Sequence, residues 1–392
     1  MKTQTKLFLI PTLALSIAAC SGEKEETSPS TPLAEQSLEF EIYDSLVVDH
    51  LGNLALMDIS PDGQSYLLRD QNTDTLLLAN AAGEILHQYK LSGEGPNQYK
   101  ENLYGKSKFL NNEEFLTPTT GGVYRYNSQG ILQKKYEPGF SPRAQIIITG
   151  ADNLIIHDDE IYLNLPGRGS DEFGPHGIAY QEKSNHIEVL NLESEEFSPE
   201  IKFPSTSKFS STEKAYKFYS TYPTFSIADD SLYITYRHEP KIFAYPLADL
   251  STLGSTKFIP IKNFVENEPK SDQVDDNINI SELYAGTINK IIAMENQHFI
   301  IDYLSGLTGA EYDEAVDKAG GDMDKQWDEL GKVNQGGLVI FDGTALSNPI
   351  TKPALLGQLD KYVSKEEIWF SLNFSAAEND YSVIYKTRLV QK

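Results

Sequence analysis

The sequence predicts an all-β fold, a six-bladed β-propeller, and three observations predict it. The first is a recurring hairpin: an apolar stretch, a polar turn of Asp, Asn, Glu, Gly or Lys, and a second apolar stretch. It occurs in ISPDGQSYLL (59–68), FLNNEEFL (109–116), IIHDDEIYL (155–163), IADDSLYIT (227–235), AMENQHFII (293–301) and VSKEEIWFS (363–371). The second is spacing, with turn centres roughly 47 to 71 residues apart along the whole chain. The third is a further strand pair after a hairpin, as in TLLLANAAGEILHQYK (75–90) and GVYRYNSQGILQKKY (122–136), where Gly83 and Gly130 occupy matching turn positions. Four short strands per unit, repeated, is propeller grammar. A β-sandwich or two stacked β domains does not call for hairpins spread from end to end. A seven-bladed ring is the alternative count, because units three to five carry long insertions.

The ends of the chain complement each other. The last unit offers three strands, GQLDKYV (357–363), EIWFSLNF (367–374) and YSVIYKTRLV (381–390), where a blade wants four. LEFEIYDSLVVD (38–49) precedes the first full unit, with Leu38, Phe40 and Ile42 alternating. An unpaired outer edge invites aggregation, so the N-terminal strand is expected to pair with the last unit and close the ring. In that unit Ile368, Phe370, Leu372 and Phe374 should face one side and Trp369, Ser371 and Asn373 the other.

One segment departs from the repeat. Residues 307–335 read as two short helices. Thr308 and Glu311 make a capping box. Tyr312, Ala315, Val316 and Ala319 form one apolar stripe, and Met323, Trp327 and Leu330 another. Gly320-Gly321 should break the pair and Gly331 end the second helix. Such an insert either shapes a binding surface or covers a sheet edge.

The N-terminus sets the cellular context. Lys2 and Lys6 precede an apolar run, Leu7–Ala19, too short to cross a bilayer as a helix. Basic start, short apolar core and small residues at the end mark a secretory signal over residues 1–19. Ile17-Ala18-Ala19-Cys20 resembles the lipobox of bacterial lipoproteins. The resemblance implies cleavage between Ala19 and Cys20 and a lipid on Cys20, the single cysteine of the chain, so that the mature protein is held on a membrane by its acyl chains. Ser21 replaces the aspartate of the inner-membrane retention signal, and Glu23, Glu25 and Glu26 resemble the surface-export signal of Bacteroidetes lipoproteins. The expected location is the outer membrane, facing the periplasm or the cell surface. Residues 20–36 lack apolar periodicity and read as a lipidated flexible linker of roughly 20 Å, and residues 37–392 as the propeller domain.

Charge narrows the function classes. The chain carries −24 formally, and loss of residues 1–19, which hold two lysines and no acid, takes it to −26. Such a surface repels phosphate backbones, so nucleic acid is excluded as a partner. Local catalytic and metal motifs fail on spacing. HDDE (157–160) sits where the repeat demands a turn. Asp275, Asn277 and Asn279 start like a calcium loop, yet Ile280 stands at the glycine position and Gly286 at the glutamate position; Asp322, Asp324 and Gln326 fail the same test. There is no Gly-x-Ser-x-Gly elbow. Gly93 and Gly95 of LSGEGPNQY (91–99) could turn amides toward an anion, but Pro96 and no helix-opening lysine follow, so the loop reads as a tight connection between units. No catalytic residue, cofactor or metal is predicted.

Two short stretches carry a wider resemblance. SPDG (60–63) resembles the turn of TolB-like propeller repeats, and the loop with Gly93, Gly95, Pro96 and Tyr99 resembles the Gly-x-Gly-Pro-x-x-Tyr loop of six-bladed propeller lipoproteins from Bacteroidetes, a family of uncharacterised function. DSLVVDH and DYSVIYKTRL (380–389) resemble terminal segments of a related family. The resemblance, over about residues 38–390, implies the fold and the cellular setting and no catalytic residue. The expected function is therefore a membrane-anchored binding or scaffold component for a protein, peptide or glycan partner. The alternative is a propeller hydrolase such as a calcium-dependent lactonase-like enzyme, whose isolated carboxylates leave no local motif. A funnel of convergent carboxylates would favour the hydrolase, and an open aromatic face near the insert would favour binding.

Overall fold

Alternating apolar residues on both sides of short polar turns leave each hairpin with two apolar faces, and both are buried when blades stack around an axis. The structure, a computed structural model, describes residues 33–142, 152–270, 280–377 and 380–392. Ala19, Cys20 and the Asp275, Asn277, Asn279 triplet lie outside the described residues. Among the described residues no helix is long and apolar enough to cross a membrane.

Six antiparallel sheets form six blades. From the innermost strand outward, blade one is Leu54–Ile59, Ser65–Asp70, Thr75–Asn80 and Ile85–Tyr89. Blade two is Lys108–Phe109, Glu114–Thr119, Gly122–Asn127 and Leu132–Tyr136. Blade three is Leu154–His157, Glu160–Leu163, Ile187–Asn191 and Phe197–Glu200. Blade four is Pro223–Ala228, Ser231–Tyr236, Glu239–Pro246 and Ser255–Phe258. Blade five is Thr287–Ala293, Phe299–Leu304 and Gly336–Phe341. Blade six is Leu356–Ser364, Glu367–Leu372, Ser382–Gln391 and, outermost, the N-terminal strand Leu38–Val48. All six predicted hairpins join the inner two strands of a blade.

The N-terminal strand closes the ring as expected, pairing antiparallel from Leu38 opposite Gln391 to Val48 opposite Ser382. It also reaches the next blade: Phe40 N donates to Thr351 O at 3.0 Å and Thr351 N to Leu38 O at 2.9 Å. Just before it, Leu33–Glu35 form a single 3-10 turn.

The core lies between blades. Apolar clusters occupy each of the six blade-to-blade interfaces. This explains the last unit: Ile368 and Phe370 pack toward blade five, while Trp369, on the other face, is equally buried against blade one, edge-on to Tyr66 at 5.6 Å. That strand ends at Leu372, so Phe374 falls outside it.

Two further expectations need correction. Blade five has three strands, not four. Its outer edge is satisfied instead by an irregular segment, where Ser347 N donates to Ile340 O and Ile350 N to Leu338 O, both at 2.8 Å. Pro349 breaks the ladder there, since it has no N–H to give. Gly331 also does not end its helix. The insert forms the last two of four short α-helices among the described residues, α1 (Ser170–Phe173), α2 (Ile178–Lys183), α3 (Gly309–Ala319) and α4 (Met323–Val333). The Thr308–Glu311 capping box is present and Gly320 ends α3 at φ 62°. In α4 the helix runs through Gly331 to Val333, because Asn334 both caps it and accepts Gly306 N at 3.0 Å, fixing the end three residues later.

Strand alternation sorts the connections. The segments entering each blade and those joining its second and third strands share one face; the other connections share the opposite face. The first face carries the long segments 90–107, 164–186 with α1 and α2, 201–222 and 305–335 with α3 and α4. The opposite face carries tight turns such as 60–64, 110–113 and 158–159.

Candidate functional site

The innermost strands have no sheet partner toward the axis, so their backbone groups need other company. Charged side chains supply it. Lys106, fully buried, donates to Leu56 O (3.0 Å), Asp360 O (2.6 Å) and Asp360 Oδ1 (3.2 Å). Asp360 Oδ2 accepts Leu56 N at 3.1 Å. Asp58 accepts Phe109 N at 2.8 Å and pairs with Lys361. Asp152 holds Lys108 at 2.6 Å and Lys290 at 3.2 Å. Bulges in the inner strands, between Leu56 and Asp58, Ile288 and Lys290, and Leu359 and Lys361, turn these side chains toward the axis. Burial lowers the Lys106 ammonium below its ordinary value, with Asp360 opposing. Burial would raise Asp152, but Lys108, Lys290 and Lys106 hold it well below the carboxylate range. The axis is thus closed by an ionic plug that ties blades one, two, three, five and six.

On the elaborated face a cavity of about 460 Å³ opens between blades three to six. Pro223, Ile288, Leu338, Pro349 and Ile350 form apolar wall; Arg237, Lys290, Lys352, Asp152, Asp302, Asn153 and Tyr222 are polar. Arg237 sits in the turn between the second and third strands of blade four. Its backbone anchors it on both sides, the N–H donating to Tyr222 O at 2.8 Å and the carbonyl accepting Ile288 N at 2.7 Å. The next residue, His238, is buried; burial pushes its pKa down to about 3, and its neutral ring donates from Nδ1 to Gly286 O at 2.8 Å. Burial also lowers the Arg237 guanidinium and raises the Asp302 carboxyl, which Lys290 partly opposes. Lys352 donates to Gly357 O at 2.8 Å. In a chain of net charge −24, this pocket is locally cationic.

The sequence-predicted residues lie elsewhere. In the Gly93 loop both glycine amides are engaged, Gly93 N with Tyr99 O at 2.9 Å and Gly95 N with Gln98 Oε1 at 2.7 Å. Gly93 has φ 145°, and Pro96 follows before Tyr99, which is buried edge-on to Tyr124 of blade two at 5.8 Å. HDDE forms a hairpin turn on the opposite face, with Asp158 at φ 51°. Asp322 caps α4, accepting Asp324 N and Lys325 N. Among the described residues no three His, Cys, Asp or Glu side chains gather as a metal site. Sequence reasoning missed the plug and the cavity. For the plug the available signal was charge on or just before first strands that read as apolar: Asp58, Lys106 and Lys108, Lys290, Asp360 and Lys361.

The helical insert rises from the same face as the cavity. Leu307, Ala315 and Leu330 are buried, with Tyr284 and Tyr312 packed on them at 5.3 Å between rings. Met323 and Trp327, expected to share an apolar stripe with Leu330, are 61% and 60% exposed. Trp327 is tilted over Tyr284, with 6.5 Å between ring centroids.

No protein-family model and no curated protein matches the sequence. Solved structures do match in fold. A member of the DUF4221 family from Bacteroides vulgatus aligns at 12% identity and a TM-score of 0.61, covering 91% of this chain and 99% of its own. An exported protein from Bacteroides fragilis aligns at 12% identity and a TM-score of 0.46, over 90% and 96%. A gluconolactonase from Xanthomonas campestris aligns at 10% identity and a TM-score of 0.43, over 92% and 99%. At these identities the likeness is one of fold: the chain is built as a six-bladed propeller.

Proposed function

We propose that the protein is a binding or scaffold component, lipid-anchored through Cys20 at the outer membrane, that holds a protein, peptide or glycan partner on its elaborated face. The observation that supports this reading is the ridge of Trp327 and Met323, exposed on a helical insert beside a cavity, on the face where the fold spends its long connections. Tryptophan is among the residues enriched where binding energy concentrates at interfaces. The hydrolase reading needs carboxylates free to converge on an ion. In this cavity Asp152 is taken by two lysines, and Asp302 lies among Lys290 and Lys352.

The insert's small cluster is separate from the six inter-blade cores, so replacing 307–335 with a short Gly-Ser link should leave melting nearly unchanged and abolish capture of partners co-purified from native membranes. Unfolding of the variant would show a structural cover instead, and undiminished capture would remove the insert from the binding surface. The anchor is tested separately: Cys20→Ala should move the protein from the membrane to the soluble fraction, and continued sedimentation with membranes would refute it.

A further inference from the structure

We propose that the cavity between blades three and six binds a small organic carboxylate, received by Arg237 with help from Lys352. The proposal deepens the reading of this face as a binding surface, and rests on that reading only for its location.

Arg237 stands apart from the other described arginines. Arg69 pairs with Asp74, Arg125 with Glu114, Arg168 with Glu188 and Arg388 with Glu41. Among the described residues no carboxylate lies within ion-pair distance of Arg237, although it is half-buried and lines the cavity. A guanidinium withdrawn from water without a counter-ion costs stability, and its planar fork matches a carboxylate in two parallel hydrogen bonds. A second unpartnered polar group is buried in the wall behind it. Asn153 is 2% exposed; its Oδ1 accepts the Tyr222 hydroxyl at 2.7 Å, while its Nδ2 finds no acceptor. Lys352 spends one hydrogen bond on Gly357 O and has two more to give.

The rest of the wall selects among anions. About 460 Å³ is the size of a small-molecule site. Ile288, Leu338 and Ile350 offer surface to a carbon skeleton, which a bare inorganic ion lacks. Asp152 and Asp302 share the cavity and oppose a dianion more than a monoanion.

The test uses full-length protein and its Arg237→Met variant, melted in chloride, benzoate, glucuronate or inorganic phosphate at equal ionic strength. In chloride the variant should melt at or above the wild type, since it loses an unpaired cation. Benzoate or glucuronate should raise the wild-type midpoint and leave the variant's unmoved, and titration calorimetry should show at least tenfold weaker binding to the variant. A variant midpoint well below wild type in chloride would make the guanidinium structural and overturn the proposal. So would no shift with either carboxylate, equal shifts in both proteins, or a larger shift with phosphate. Arg237→Gln, which keeps a polar group in the wall, is read by the same criteria if Arg237→Met fails to fold. None of these outcomes touches insert-dependent capture, so the two readings fail separately.

Discussion

Deletion of residues 21–50 should lower the unfolding midpoint far below that of a protein trimmed only of 21–36. The longer deletion removes the N-terminal strand. It strips Leu38, Phe40, Leu46 and Val48 from the core, each buried to within 8% exposure. At about 1.5–3 kcal/mol per buried side chain, their loss amounts to roughly 6–12 kcal/mol, comparable with the entire stability of a typical domain. Phe40 leaves Phe370 without its edge-on partner at 4.8 Å. The deletion also bares Ser382–Gln391 as a free edge and cuts the bonds from Leu38 and Phe40 to Thr351. Among the described residues the shorter deletion takes the turn at Leu33–Glu35 and Gln36. Thermal or urea melts of the two truncations decide the matter, and equal midpoints would rule closure out.

Asp360→Ala should be the most damaging single substitution at the axis, costing about 3–5 kcal/mol in urea unfolding. It leaves the Lys106 ammonium, fully buried, with backbone carbonyls and without its direct ion-pair partner, and orphans Leu56 N. The pH dependence has a definite sign. Burial already holds Lys106 below 10.5 with Asp360 opposing, so removing Asp360 pushes it lower. The unfolded state then binds the proton more tightly, and the variant should regain stability as pH rises from the lowered folded value toward 10.5. Replacing both, Lys106→Met with Asp360→Leu, should recover most of the loss, because neither desolvated charge remains. A wild-type midpoint for Asp360→Ala would show that the pair contributes nothing.

What the sequence revealed follows from range. The six hairpins are written in adjacent residues, as in SPDG and HDDE, so turn chemistry alone located them. Closure was legible as a deficit: three strands at one end, one spare at the other. The capping box of α3 was likewise a four-residue signal. Gly331 misled because a glycine near a helix end has two readings, and Asn334 holds the true end. Blade five's missing strand was hidden because hydrogen bonds from Ser347 and Ile350 satisfy an edge without an alternating pattern. The cavity left no trace because Asn153, Arg237, Lys352 and Asp302 come from four blades, and only closure brings them together. The exposure of Trp327 was unreadable for a similar reason: helical spacing gives a stripe, and what lies opposite decides whether it is covered.

The closing strand also determines how the domain bears force. Tension arriving through the residues before Leu38 pulls along the strand's own axis. Its neighbour Ser382–Gln391 runs antiparallel to it over ten paired positions. Those pairs are strained together, in shear, and not peeled apart one by one. The bulge at Tyr43 divides the ladder into two runs of five, so slippage in one run must still break the other. Thr351 adds a second grip on the outer side. Resistance to extraction is then a matter of the rate of a single cooperative rupture, and a ring that needs its first strand to stay closed pulls back on whatever holds it.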